Sequence, residues 1–177
     1  FPILDQRGNV IGFGGRVIGQ GEPKYLNSPE TPLFEKGREL YGLLQARSAI
    51  RDEDCVIVVE GYMDVVALAQ HGIGNAVATL GTATTPTHVH KLLRQADRVI
   101  FCFDGDNAGR KAAARALDAS LEHVADNKTV AFLFLPTEDD PDSYVRAHGA
   151  DAFRKLGRQA MPLTDFLMQE LRAGKDL

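Results

Sequence analysis

Cysteine is scarce in this sequence: Cys55 and Cys102 are the only two, each inside an apolar run, CVIVVE and VIFCFD. That excludes a disulfide framework and a cysteine-rich zinc site, and predicts two reduced, buried thiols in a cytoplasmic protein. Long apolar runs are missing too. Nothing approaches the roughly 18 residues that a membrane-spanning helix needs, so no membrane partner is expected. Positive charge is not in excess, with 20 Lys+Arg against 24 Asp+Glu and a net charge of −4. Any nucleic-acid surface must therefore be a local basic patch. No basic start with an apolar core and cleavage site is seen, and the chain opens on Phe1, which reads as a piece of something longer. What is present is globular composition: 177 residues, 44% hydrophobic and 25% charged, enough for one domain with a small appendage.

The opening FPILDQRGNVIGFGGRVI reads as a hairpin turning at Asp5 to Asn9. Residues 19–32 hold three Pro and two Gly and read as a long loop, and a helix is predicted from about Glu35 to Arg47 with Leu40, Leu43 and Leu44 on one face. From Cys55 the pattern changes. CVIVVE, NAVATL, RVIFCFD and TVAFLFL are apolar strands; YMDVVALAQHG, the segment from Pro86 to Ala96, and AGRKAAARALDASLEHV are helices between them. Near-continuous apolar strands separated by helices predict a parallel sheet covered on both faces, in the α/β class. Short helices then run through His148 and Leu156, and a last amphipathic piece spans Leu163 to Leu171.

In such a sheet the strands end on one edge, where ligands bind. The first strand ends in Glu60-Gly61 with Asp64 one turn on, the third in Asp104-Gly105-Asp106, and the fourth leads to Asp139-Asp140-Pro141-Asp142. Glu60, Asp64, Asp104, Asp106, Asp140 and Asp142 would carry −6 together and leave the remainder at +2. Crowded carboxylates raise one another's pKa or take up a cation, and hard oxygen donors without His or Cys select Mg²⁺, Mn²⁺ or Ca²⁺ over zinc. The chemistry expected is metal-assisted phosphoryl or nucleotidyl transfer. The plainer reading of any one of these acids is a helix N-cap. Gly61 and Gly105 would let backbone approach a ligand. The loop at Leu80-Gly81-Thr82 suits either backbone contact with a phosphate or an ordinary turn, and Gly12 to Arg16 suits strand packing or a bulge.

Residues 1–51 carry seven Lys+Arg against five acids, with Arg16 beside the glycines and Lys24 and Lys36 around the long loop that holds Tyr25 and Asn27. Facing an acidic rim, these would suit a nucleotide or template groove; solvated surface is the alternative. His88 and His90, about 200° apart on a helix, are expected at the surface rather than as a metal pair. Arg110, Lys111 and Arg115 are expected to be exposed, and Tyr62 and Met63 to pack.

VVEGYMDVVAL, ATLGTA, FDGDNAGRKAA and DDPDSY resemble the Toprim domain, and KYLNSPETPLFEKGRELYG is similar to the RNA polymerase domain of bacterial DnaG-type primases. The resemblance covers essentially the whole chain. It implies a Toprim-type parallel sheet flanked by helices at 53–140, part of a small N-terminal α+β subdomain at 1–52, and a truncated C-terminal helical segment at 141–177. It implies a DNA-dependent RNA polymerase that makes short RNA primers on single-stranded DNA from NTPs, using two or more Mg²⁺ or Mn²⁺ ions, at the replication fork in the nucleoid. A helicase-binding C-terminal domain, absent from these residues, would connect it to the replicative helicase. Carried over by motif, Glu60, Asp104 and Asp106 are catalytic, all six acids serve the metals, and Arg16, Lys24, Asn27, Lys36 and Gly61 contact nucleotide or nucleic acid. Whether Glu60 is a ligand or a proton acceptor stays open. With no zinc module and part of the basic subdomain missing, the fragment is expected to bind metal and NTP but make little primer. The rivals are a haloacid-dehalogenase-type phosphatase, a Toprim nuclease or topoisomerase, and a non-catalytic Mg²⁺-binding scaffold. Against the first, Asn107-Ala108 follows the D-x-D where Gly-Thr or Gly-Val is usual.

Overall fold

The apolar, β-branched runs that follow Cys55 form a sheet because alternate side chains of each strand can be buried on opposite faces. The computed structural model describes residues 1–19, 25–123 and 125–174. Its elements run β1 (Pro2–Leu4), β2 (Val10–Arg16), β3 (Tyr25–Asn27), α1 (Leu43–Glu53), β4 (Cys55–Val59), α2 (Tyr62–Gln70), β5 (Ala76–Ala78) and α3 (Pro86–Leu93). They continue with β6 (Arg98–Phe103), α4 (Asn107–Leu121), β7 (Thr129–Phe134), α5 (Pro141–His148), α6 (Ala150–Arg158), β8 (Met161–Pro162) and α7 (Leu163–Arg172). The class is α/β, with a parallel sheet between two layers of helices.

Strand order in the main sheet is β5-β4-β6-β7-β8, parallel except for β8. Val56, Val58, Val99, Phe101, Val130 and Phe132 face α1, α3, α4 and α7; Ile57, Val59, Ile100, Cys102, Ala131 and Leu133 face α2, α5 and α6. The chain leaves β4 for β5 on one side, then crosses to β6 and β7 on the other. Right-handed crossovers put the helices of opposite directions on opposite faces, and α2 does lie across the sheet from α3 and α4. Strand order thus reverses between β4 and β6, and the crevice at that switch point is where such sheets bind ligands. A second antiparallel sheet, β1-β2-β3, packs Ile3 with Phe34, Tyr62 and Leu80, so α2 and the loop after β5 contribute to its core.

Four expectations are corrected. The segment read as loop contains β3, whose Tyr25, Leu26 and Asn27 pair with Arg16, Gly15 and Gly14. The helix predicted from Glu35 starts at Leu43 and runs on to Glu53. Tyr41 instead bonds the outer edge of β5, giving its N–H to Ala78 O at 2.8 Å and accepting from Ala78 N at 3.0 Å. Gly42 turns the chain at φ 81°, a conformation that favours glycine, so the helix cannot begin earlier. The four predicted strands form the expected parallel sheet, to which β8 adds an antiparallel pairing at the β7 edge. Cys102 is buried as expected, whereas Cys55 is half-buried.

The last correction is His88, expected at the surface and found fully buried. Thr85 caps α3 by accepting from His88 N at 3.1 Å, and Thr85 N–H donates to His88 Nδ1 at 3.2 Å. Nδ1 is then an acceptor, so Nε2 carries the proton and donates to the carbonyls of Lys36 (3.1 Å) and Glu39 (3.0 Å). Burial holds this imidazole below its ordinary pKa, ahead of the opposing backbone hydrogen bonds, and the Lys91 charge lowers it further. The unfolded chain takes up a proton first, so the stability contributed is full above about pH 6.5 and is lost as pH falls from there. Urea unfolding between pH 7.5 and 5 should therefore show a steeper loss for the wild type than for His88→Gln. Equal slopes would contradict the assignment.

Candidate active site at the β4–β6 switch point

The switch point collects the carboxylates because each follows a strand or opens a helix on the same edge. Glu60 follows β4, Asp104 and Asp106 follow β6, and Asp140 and Asp142 open α5 beyond β7. Gly61 is the N-cap of α2 and gives its N–H to Asp64 Oδ2 at 3.1 Å. Asp106 caps α4, accepting from Gly109 N at 2.7 Å, and Asp140 caps α5, accepting from Ser143 N at 2.7 Å. The helix-capping reading therefore holds for these side chains. Each cap engages one carboxylate oxygen of two, leaving a second with acceptor capacity. Asp142 pairs with Arg146 at 2.5 Å along α5. Gly105 is required: a Cβ there would meet Leu135 O at 2.2 Å, so the chain after β7 lies against its backbone.

The acids feel one another. Glu60 is held above the usual carboxylate range by desolvation, then by the charges of Asp104 and Asp106. Asp64 is pushed up to about 7, first by burial and then by Asp140 and Asp104, against the Gly61 N–H that lowers it. Buried Cys102 lies in the same field, its thiol raised by burial and by Asp64, Asp104 and Glu60. As the side chains stand, no three Asp, Glu, His or Cys among the described residues are gathered tightly enough to ligate one ion. The donor chemistry nevertheless fits a hard divalent cation: all-oxygen ligands, mutually repelling, in a crevice that raises Glu60 and Asp64. A cavity of about 50 Å³ beside Glu60 is lined by Thr79, Thr82, Thr84, Cys102 and Phe103.

The small N-terminal sheet stands over this rim. Tyr25, Asn27, Glu60, Gly61, Tyr62 and Gly81 enclose a cavity of about 60 Å³ between the two units. Asn27 Nδ2 donates to Leu80 O at 2.8 Å, and Tyr62 O–H donates to Asn27 Oδ1 in a close contact. Asn27 therefore fastens the small sheet to the large one. The Tyr25 hydroxyl is raised by burial and by the charges of Asp64 and Asp140, while Arg16, over its ring at 5.6 Å, lowers it. Arg16 is exposed, and Lys24 lies outside the described residues.

Residues 1–47 match the DNA primase catalytic core, N-terminal domain, and residues 54–131 match the Toprim domain. The DNA primase of Pseudomonas aeruginosa is 60% identical over 99% of this chain, and that of Escherichia coli K12 is 55% identical over 100% of it. This chain belongs to the DnaG-type primase family. It spans 27% and 30% of those two relatives. A primase domain crystal structure from P. aeruginosa superposes with a TM-score of 0.94, at 60% identity, covering 99% of this chain and 55% of that one. A DnaG primase catalytic domain bound to ssDNA superposes at 0.93, with 54% identity, covering 99% and 57%.

Within this primase fold, sequence reasoning missed Tyr25 as a residue on a strand over the rim, and Thr79 and Thr84 as its lining beside the Thr82 it had singled out. The signal was the strand-order reversal at β4–β6, which becomes visible only once the pairing partners are known. No helix among the described residues is long and apolar enough to cross a membrane.

Asp64 supplies a test of the crowding. Its raised pKa means the folded chain holds the proton more tightly than the unfolded one, whose carboxyl titrates near 3.8. Stability is thus fullest below that value and is lost as pH rises through about 7. At pH 8 in EDTA, Asp64→Asn should raise the free energy of urea unfolding, by at most about 4 kcal/mol. An unchanged or lowered unfolding free energy would contradict the cost assigned to a charged Asp64 in this buried, acidic setting.

Proposed function

We propose that this chain is the catalytic segment of a DNA primase, extending short RNA primers on single-stranded DNA by metal-dependent nucleotidyl transfer from NTPs. The observation that carries the proposal is the placement of Glu60, Asp64, Asp104, Asp106 and Asp140 at the strand ends and helix starts of the switch point, beneath the small N-terminal sheet. The ssDNA held by the related catalytic domain supports the same substrate here. Glu60, Asp104 and Asp106 are the catalytic carboxylates, and they would hold Mg²⁺ or Mn²⁺ together with Asp64, Asp140 and Asp142. Divalent ions bound there would lower the pKa of a ribose 3′-hydroxyl and neutralise charge on the triphosphate as pyrophosphate leaves. Glu60, already raised by burial and then by its neighbours, is suited both to border an ion and to take a hydroxyl proton. Asp106, Asp140 and Asp64 keep their orientation through helix-cap hydrogen bonds, so the acidic rim is held by backbone rather than by free rotamers. Arg16, Lys24 and Lys36 would meet phosphates, with Asn27 and Gly61 shaping the cleft between the units. Such a chain would work at the replication fork in the nucleoid, with the replicative helicase reached through residues beyond this segment.

Titration of a fluorescent NTP with and without Mn²⁺ tests the proposal. Binding should require Mn²⁺ and should weaken about 10–100-fold in both Asp104→Asn and Glu60→Gln, the range seen when a metal site is disturbed. Metal-independent binding, or hydrolysis of simple phosphate esters, would overturn the reading.

A further inference from the structure

We propose that His88 is a positioning residue: through the backbone of the Lys36–Glu39 turn it sets where the Lys36 ammonium stands for phosphate contact. This rests on the proposed role of Lys36 in nucleic-acid binding. The carbonyls of Lys36, Gly37 and Glu39 all accept hydrogen bonds from the start of α3: His88 Nε2 at 3.1 and 3.0 Å, and Thr85 Oγ1 at 2.6 Å on Gly37. Lys91 Nζ closes the same turn on Glu39 Oε2 at 2.9 Å. On its other side the Lys36 N–H donates to Glu30 Oε1 at 2.9 Å. The peptide groups flanking Lys36 are therefore pinned from two directions, while the described residues provide no ion pair for its ammonium.

The same segment reaches the acidic rim. Thr82, Ala83 and Thr84, immediately before Thr85, line the cavity beside Glu60. One helix N-terminus thus touches both the turn that carries Lys36 and the loop that borders the carboxylates, fixing their separation. A buried imidazole suits this task because its two nitrogens bond opposite partners at once: Nδ1 accepts from Thr85 N–H and Nε2 donates to two carbonyls. The side chain would act on nucleic acid only through Lys36, since it is itself fully buried.

The salt dependence of binding separates this role from general stability. Anisotropy of a labelled mixed-sequence single-stranded DNA is measured against NaCl for the wild type, Lys36→Ala, His88→Ala, His88→Gln and the Lys36→Ala/His88→Ala pair. All are compared below their melting temperatures. Loss of one phosphate contact lowers the slope of log K against log salt by about 1. Lys36→Ala and His88→Ala should each lose that slope, the double variant should lose no more than Lys36→Ala, and His88→Gln should restore part of it. Thr85→Val, which deletes the bond to Gly37, gives the same loss by a second route if His88→Ala fails to fold. A slope lost in Lys36→Ala but kept in His88→Ala, or losses that add in the double variant, would overturn the positioning role alone. A slope unchanged in Lys36→Ala would remove the Lys36 reading beneath it.

Discussion

Carboxylates brought together at the end of a sheet repel, and that repulsion is the constraint on which the site depends. Glu60 and Asp64 are raised first by burial and then by acidic neighbours that the fold does not allow to retreat. Adjacent parallel strands β4 and β6 fix the distance between the first two acidic segments. Helix caps at Asp106 and Asp140 fix two more side chains. The core on the α4 and α7 side of the sheet opposes the cost: Phe101, Phe103 and Phe132 stack, and Phe166 meets Phe132 at 4.7 Å. Burial of such rings contributes several times what the crowded acids take away.

The small sheet is tied to this arrangement by few but directional contacts. Tyr62 leaves the N-terminus of α2 to join Ile3, Phe34 and Leu80, and a Cβ at Gly14 would lie 2.5 Å from its ring. Tyr62 also donates to Asn27, so one side chain joins packing and polar alignment between the units. Arg16, over the Tyr25 ring at 5.6 Å, is thereby set near the acidic rim whose Asp64 and Asp140 act on the same tyrosine. Opposite charge on two walls of one cleft suits a substrate that is itself anionic and arrives with cations.

Much of this was legible because the main sheet is written in short-range pattern. Runs such as CVIVVE and RVIFCFD bury both faces, leaving no helical stripe, and the acids that follow them mark the strand ends. The elements that escaped depend on distant partners. Tyr25–Asn27 is a strand only because β2 supplies its ladder, and the stretch before Leu43 resists helix because Tyr41 bonds Ala78. His88 read as a surface residue on an amphipathic helix; carbonyls some fifty positions earlier in the chain turn that face inward. Of the predicted nucleic-acid residues, Asn27 is engaged in joining the units, a use that local sequence could not reveal.

The central claim is that these acidic groups share one cation-binding crevice at the β4–β6 switch point. Anomalous diffraction from crystals soaked in Mn²⁺ tests it most directly. The account predicts a manganese peak bordered by Glu60, Asp104 and Asp106, lost in Asp104→Asn crystals. Manganese found only elsewhere, or a peak at the crevice that survives that substitution, would contradict it.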